Sequence, residues 1–193
     1  GTFLYNFWRD ASHQRGLWRR TTLESFRNTA PEWETLLDLD ALADSEGRNW
    51  VWHDATFRHP DYARALVLLS DGGTDAHEMR EFDLEKKVFV EDGFSLPSAK
   101  SNAVWLDADT LWIGTDTGED SLTTSGYPRR VQRLTRGSSI DTAPVVFEGQ
   151  LEDVYVHSFQ HERTGRRFVE RVKDFFTNEM HWQDGDTWRK LLK

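Results

Sequence analysis

Short apolar segments separated by turn residues dominate the chain, and they predict strands far more often than helices. The segment from Arg64 to Ser70 is almost continuously apolar and is followed by Asp71-Gly72-Gly73, as expected of a strand buried on both faces. The segment from Asn102 to Leu106 reaches an acidic turn at 107–109 and continues from Thr110 to Thr115. The β-branched and aromatic residues on both arms predict a hairpin.

A second kind of hairpin has more polar arms and recurs along the chain. Its three copies run from Leu17 to Phe26 and back over Trp33–Leu37, from Glu78 to Leu84 and back over Val88–Val90, and from Arg130 to Thr135 and back over Val145–Phe147. The returning arms are about 56 residues apart, a period of the order expected for one four-stranded unit of a propeller. Such a unit cannot bury both faces alone, so the pattern predicts an all-β, propeller-like array.

Two segments fit either a strand or a helix. Phe168 to Phe176 carries apolar residues at a spacing that also suits a helical face, but the turn residues at 164–165 and 177–178 favour a strand. Before it, Asp153 to Phe159 alternates as a strand does. Between residues 32 and 46 the leucines and an alanine allow a short helical turn after the strand.

Composition narrows the classes of function. The 193 residues carry a net charge of −9 and only short, scattered arginine pairs, which argues against a protein that binds nucleic acid. No apolar run has the length of a membrane span, so no membrane partner is expected. The absence of cysteine excludes disulfides, and it does not distinguish a cytoplasmic protein from a periplasmic one. We expect a cytoplasmic protein, with a periplasmic one as the alternative.

Acidic turns and histidines are the candidate metal ligands, and neither set has the required spacing. The turns at 107–109, 116–120 and 184–186 lack the ligand pattern of a calcium loop, and Asp and Gly are what β-turns select for themselves. His157 and His161 would stand about 13 Å apart on a strand, too far to share one ion. We therefore expect structural or surface histidines, no metal and no cofactor.

Aromatic residues suggest either a core or a platform on which sugars stack. Aromatics make up 13% of the chain, with 9 Trp, and we expect Trp50, Trp52, Trp105 and Trp112 to form core between sheets rather than a platform. The run Asp184-Gly185-Asp186-Thr187-Trp188 resembles the Asp-box of sialidase-type propellers, with one residue missing before the glycine. That motif stabilises a blade hairpin, so it supports a propeller and says little about function.

The opening of the chain carries a resemblance to a known family. Tyr5 to Asp10 and Gly16 to Thr22 resemble the segment that runs into the propeller of prolyl oligopeptidases, serine peptidases that cut short peptides after proline. Gly72 to Asp75 resembles a blade turn of that family, and Ser101 to Asp107 resembles an inner strand. Pro128 to Arg133 sits where the family has a strand after a long loop, here 118–127.

The resemblance implies a partial β-propeller of about three to four four-stranded antiparallel blades, with units roughly at 1–50, 51–116 and 117–193. It also implies a role as a lid that admits peptides to an α/β-hydrolase domain. No G-x-S-x-G elbow occurs here; the nearest string, 93–97, lacks the last glycine. We therefore expect no catalytic domain and no catalytic residue in this chain, no peptidase activity from it alone, and no assignable substrate-binding residue.

Self-association and two alternative functions are further expectations from the sequence. A piece with about half of a propeller's blades leaves two blade faces unmatched, so the chain is expected to associate with itself. The alternative function, from a different class, is a stand-alone propeller or β-sandwich module that binds a glycan or a protein; a third is an independent hydrolase with paired carboxylates. Neither alternative has a specific motif in the sequence.

Overall fold

The computed structural model describes residues 2–191, which form four antiparallel sheets that follow one another along the chain. The first sheet contains β1 (Phe3–Trp8), β2 (Leu17–Thr22) and β3 (Glu34–Asp38). The second contains β4 (Trp50–Phe57), β5 (Arg64–Asp71), β6 (His77–Asp83), β7 (Val88–Phe89) and β8 (Ser95–Ala99). Its order is β4-β5-β6-β7, and β8 also pairs with β6.

The third sheet contains β9 (Asn102–Trp105), β10 (Thr110–Gly114), β11 (Arg130–Thr135) and β12 (Val145–Glu148). The fourth contains β13 (Tyr155–His161), β14 (Arg166–Val172), β15 (Asn178–Asp184) and β16 (Thr187–Lys190). In both, neighbours in sequence are neighbours in the sheet. The helical elements are α1 (Leu23–Phe26), α2 (Leu39–Glu46) and a 3-10 turn at Ile140–Thr142. Among the described residues, no helix has both the length and the apolar character that a membrane crossing requires.

The all-β prediction is confirmed, and each of the eight predicted hairpin arms contains a strand, although the arm from Leu17 to Phe26 is a strand only to Thr22 and continues as α1. The buried strand is β5, whose residues from Ala65 to Ser70 are all buried. The hairpin of β9 and β10 places Trp105 opposite Leu111 and Trp112 opposite Val104. The segment at Phe168 is a strand, as predicted, but it ends at Val172, so Phe175 and Phe176 lie in the turn that follows.

The sheets do not begin and end where the predicted units do. The division at 50/51 falls inside β4, and the division at 116/117 falls between β10 and β11, which pair in one sheet. The repeating arms near Trp33, Phe89 and Val146 form β3, β7 and β12, each of which stands at one end of the strand order of its sheet. The apolar hairpin of β9 and β10 lies in the same sheet as the hairpin that follows it in the chain, because β10 pairs with β11.

The chain divides into two compact units, one of residues 1–55 and 62–97 and one of residues 56–61 and 98–193. In the first, the Trp18 ring lies 5.0 Å from Trp52 and 5.5 Å from Phe82, which joins aromatic residues of β2, β4 and β6. Such contacts stabilise a core beyond the area that they bury. Helix α2 begins at Asp38, whose side chain caps its first turn, and ends at Gly47 with φ 63°.

In the second unit, the third and fourth sheets share an apolar core. Trp112, Val131, Val156 and Val169 are buried together, and Trp188 packs against them. These residues come from β10, β11, β13, β14 and β16, so the core fixes the two sheets face to face. Gly149 lies between them where a Cβ would approach Val156 to 2.5 Å and Asp153 to 2.7 Å, so only glycine fits.

Candidate groove on the first strands of two sheets

A groove of about 270 Å³ lies in the second unit between β9, β13 and the segment at 56–59. β9 and β13 are the first strands of their sheets, and the Asn102 side chain bridges them by donating to the Val156 carbonyl at 3.3 Å. The aromatic wall is Trp105, whose Nε1 donates to the Thr56 carbonyl at 3.0 Å. This bond holds the 56–59 segment over the end of β9.

Two buried polar atoms of the residues that line this groove have no hydrogen-bond partner among residues 2–191. Ser158 is fully buried, and its Oγ has no hydrogen-bond partner; the same holds for Oδ1 of Asn102. A buried hydroxyl can donate and accept, and a buried amide oxygen can only accept. Both atoms are buried, so each carries the cost of an unmet polar group and neither is accessible to a ligand in the groove without a rearrangement.

His157 is one of three titratable residues that line the groove, with His59 and Glu162. Burial lowers the pKa of His157, and the charge of Glu170 on the facing strand partly opposes that shift. The imidazole therefore favours its neutral form, and its ring lies 5.8 Å from that of Phe159. Consecutive residues of a strand point to opposite faces, so the His157 imidazole and the Ser158 hydroxyl do not form a nucleophile–base pair on β13.

The two histidines that the sequence singles out have separate environments. His157 faces the groove, whereas His161 lies at the end of β13 with its Nδ1 2.9 Å from Thr164 Oγ1. Among the described residues, from 2 to 191, no three histidine, aspartate or glutamate side chains are grouped closely enough to hold a metal ion.

The acidic turns stabilise their own backbones. Asp107 accepts from the Asp109 amide at 2.8 Å, and Asp109 pairs with Arg136 at 2.9 Å. Asp116 accepts from the Gly118 amide at 2.9 Å. These are the side-chain-to-backbone bonds for which turns select aspartate, as the sequence indicated.

The Asp-box-like turn ties one sheet to the next. Thr187 Oγ1 donates to the Asp184 carbonyl at 2.9 Å and closes the turn between β15 and β16. Trp188 then reaches the third sheet, where its Nε1 donates to the Val146 carbonyl at 2.7 Å and its ring lies 5.5 Å from Trp112. The motif acts here as a packing element between sheets.

The tryptophans named from the sequence are core residues. Trp50, Trp105 and Trp112 are buried, and Trp52 is half-buried with its ring stacked on Phe7 at 5.1 Å. The prediction of core is confirmed for Trp50, Trp105 and Trp112.

A cluster of ion pairs around one carboxylate lies in the fourth sheet, at the end of the sheet where the β14–β15 turn is. Glu179 pairs with Lys173 and, at 2.8 Å, with Lys190. The hydrogen bonds from Lys173 and then Lys190 lower the pKa of Glu179 from 4.5 to about 2. The cluster joins the start of β15 to the end of β16 and to the β14–β15 turn.

Replacement of Glu179 by glutamine is expected to remove an acid-dependent part of the stability. A carboxyl whose pKa is lower in the folded state than in the unfolded state stabilises the fold at pH values above its ordinary pKa. This contribution disappears as pH falls from 4.5 towards about 2. Melting temperatures between pH 7 and pH 2 should fall less steeply for E179Q than for the parent. The control is Glu91→Gln at an exposed position; an equal flattening in both would contradict the assignment.

The groove was not predicted from the sequence as a site. Its parts come from residues 56–59, 102–105 and 157–162, and only strand pairing and packing between sheets bring them together. Trp105 was identified as core and His157 was considered as a metal ligand, but no spacing links either to Ser158. The alternation of residues along β13 could have shown that Val156 and Ser158 lie on the same face of the strand. It could not have shown that Ser158 Oγ has no hydrogen-bond partner among the described residues.

Four consecutive antiparallel sheets of three to five strands, each packed on a neighbour within its unit, define the class of β-propeller proteins. Residues 1–192 match the family model described as the prolyl oligopeptidase N-terminal β-propeller domain. The chain therefore belongs to that family, as the residues at its opening predicted.

Curated relatives are named as peptidases. An uncharacterised peptidase of Sinorhizobium fredii is 44% identical over 149 residues, which cover 77% of this chain and 20% of the relative. An uncharacterised peptidase of Rickettsia prowazekii is 33% identical over 162 residues, covering 80% of this chain and 22% of the relative. The chain thus spans about a fifth of the length of these relatives.

Solved structures support the same assignment. A post-proline cleaving enzyme from Rickettsia typhi superposes with a TM-score of 0.92 at 29% identity, covering all of this chain and 30% of that one. Oligopeptidase B from Leishmania major gives a TM-score of 0.74 at 14% identity, covering 98% of this chain and 26% of that one. The second likeness shows the fold alone.

Proposed function

We propose that this chain is the propeller part of a prolyl-oligopeptidase-like serine endopeptidase and that it gates the access of short peptides to a hydrolase domain outside the chain. The match over residues 1–192 carries the proposal. The peptidase names of the relatives support it, as does the superposition on a post-proline cleaving enzyme. The family motif for nucleophilic catalysis, G-x-S-x-G, does not occur in the 193 residues.

In this role the chain acts by exclusion. A propeller arranges its sheets around a central channel, and a channel with rigid walls passes extended peptides and stops folded domains. The buried aromatic core between sheets and the ion pairs at the strand ends keep the walls rigid. The net charge of −9 would favour entry of basic peptides over acidic ones.

The groove gives the gate a point of contact with peptides. It lies on β9 and β13, the first strands of their sheets, and is lined by the aromatic residues Trp105 and Phe159 together with polar residues such as Gln160. A peptide carries apolar side chains and one donor and one acceptor in each peptide bond, so this mixed lining suits a peptide. Self-association of the chain through its terminal sheets and a cytoplasmic location stay predictions of the same proposal.

A glycan-binding module is the weaker candidate. Its sequence basis was the number of aromatic residues, and of the four tryptophans considered, three are buried and the fourth is stacked within the fold. No observation in the structure favours a sugar over a peptide as ligand.

The test compares the chain with the full-length polypeptide that contains it. The full-length protein is expected to cleave a short chromogenic peptide after proline and to spare the same sequence inside a stably folded protein. Residues 1–193 alone are expected to cleave neither, because they lack the serine elbow. A fluorophosphonate probe should label the full-length protein and leave residues 1–193 at the background of the denatured chain.

Two results would contradict the proposal. Specific labelling of a serine in residues 1–193 would mean that the chain carries its own nucleophile. Equal cleavage of the free and the folded substrate by the full-length protein would mean that the propeller does not select by size.

A further inference from the structure

The aromatic ring of Phe147, on the last strand of the third sheet, contacts two rings of the fourth sheet. Its centroid lies 5.1 Å from that of His181 on β15 and 5.1 Å from that of Trp188 on β16. Trp188 Nε1 also donates to the Val146 carbonyl at 2.7 Å. These contacts hold β12 against the fourth sheet, and we call Phe147, His181 and Trp188 the aromatic clasp.

His181 is the member of the clasp whose charge can change. The residue is half-buried, and its Nδ1 is buried without a hydrogen-bond partner among residues 2–191. A neutral imidazole can leave this nitrogen without a proton, whereas a protonated imidazole carries a proton on both nitrogens. Protonation would therefore place a positive charge and a donor with no acceptor in the contact between the two sheets.

The charged groups around His181 belong to the fourth sheet, and most of them are cations. They are Arg171 on β14, Lys190 directly opposite on β16, and Lys173 in the β14–β15 turn. Glu179 is the anion, on the same face of β15, and it is already paired with both lysines. Burial is the main cause that lowers the pKa of His181; Glu179 opposes this shift and the three cations add to it.

The other nearby carboxylates are bound to arginines. Glu148, the charged residue of β12, follows Phe147 and so lies on the opposite face of that strand, where it pairs with Arg129 and Arg130. Asp153 accepts hydrogen bonds from Arg171 with both of its oxygens. A protonated His181 would therefore meet the Phe147 ring rather than a carboxylate of the third sheet.

We infer that the aromatic clasp is an acid-sensitive contact, in which protonation of His181 loosens the fourth sheet from β12 while each sheet keeps its own strand pairing. The inference goes beyond the proposed function and does not depend on it. Because the pKa of His181 is lower in the folded state, the contact has its full strength above pH 6.5 and is lost as pH falls from there through the lowered value. The contribution of Glu179 is lost in a separate range, below pH 4.5.

The experiment measures backbone hydrogen exchange by mass spectrometry in the full-length polypeptide at pH 7 and pH 5, corrected for the intrinsic effect of pH. Protection of segments 145–148 and 187–190 is expected to fall by about tenfold at pH 5, whereas segment 64–71 in β5 keeps its protection. His181→Phe retains a ring against Phe147 but cannot be protonated, so it should keep both segments protected at pH 5. The matched control is His161→Phe at an exposed position of β13, which should leave the loss unchanged.

A second histidine must be distinguished from His181. Burial also lowers the pKa of His157, so His157→Phe is measured in parallel and should leave the loss unchanged. If H181F lowers protection of segment 64–71 at pH 7, which would indicate a general loss of folding, His181→Leu replaces it as the variant that cannot be protonated.

Four results would overturn the inference. They are equal protection of segments 145–148 and 187–190 at both pH values, a loss that is as large in the His181 variant as in the parent, a loss that H157F abolishes, and a loss that is as large in segment 64–71. The third would assign the acid response to His157, and the fourth would show that the whole fold, rather than the clasp, responds to acid.

Discussion

Replacement of Trp112 by alanine is expected to lower the free energy of unfolding by about 3–5 kcal/mol. Trp112 is 1% exposed and lies in the core shared by the third and fourth sheets. Truncation removes its transfer free energy and leaves a cavity lined by β-branched residues that cannot collapse freely. Chemical denaturation followed by far-UV circular dichroism measures the loss without depending on tryptophan fluorescence.

The matched control for this prediction is Trp8→Ala. Trp8 is 43% exposed. Its replacement should lower the free energy of unfolding by less than about 1 kcal/mol, mainly through loss of its contact with the Arg19 guanidinium, 4.4 Å from the ring centroid. Trp112→Phe should recover much of the stability that alanine loses, because it refills most of the cavity. A loss below about 1 kcal/mol for W112A would mean that the site is not a packed core.

Much of the fold could be predicted because its strands carry local signals. The continuous apolar run of β5 and the alternating arms of β9 and β10 bury the residues that their patterns indicate. The short helix after β3 also had a local signal, since Asp38 caps its start and Gly47 ends it. Here the period of the pattern, the cap and the turn residues agree, which is when sequence reasoning works.

The sheet boundaries were harder because they depend on pairing rather than on local pattern. Nothing local shows that β10 pairs with β11 across the long 115–129 link, so the unit boundary at 116/117 divides what the structure joins. The strand at Phe168 was predicted to reach Phe176 because the next turn residues lie at 177–178, but it ends at Val172. Phe175 and Phe176 are instead almost fully exposed in the turn that follows β14.

The candidate site was the least predictable part. Ser158 and Asn102 lie 56 residues apart in sequence and meet only after the third and fourth sheets pack. The Asp-box-like turn is the exception, because its Trp188 marked a packing element from the sequence alone. Motifs that stabilise a turn can be recognised locally, whereas a groove formed by two sheets cannot.

Replacement of Asp153 by alanine is expected to cost about 3 kcal/mol, near the lower end for breaking a buried ion pair. Asp153 is buried, and its two oxygens accept from Arg171 at 2.8 and 3.0 Å, while Oδ2 also accepts from the Gln150 amide at 2.7 Å. Its loss leaves the largely buried Arg171 guanidinium with Glu179 at 3.3 Å, which limits the penalty. The measurement is chemical denaturation at pH 7, with exposed Asp186→Ala as control.

A double variant distinguishes the attraction between Asp153 and Arg171 from the cost of leaving the Arg171 charge without its partner. If the penalty of D153A comes from the unpaired guanidinium, then D153A/R171M should be more stable than D153A alone, because methionine fills the space without a charge. If it comes from the lost cap on the 150–153 turn, the double variant should be no better, and Asp153→Asn should recover most of the stability by still accepting from the Gln150 amide. A loss for D153A equal to that of D186A would show that neither contribution matters.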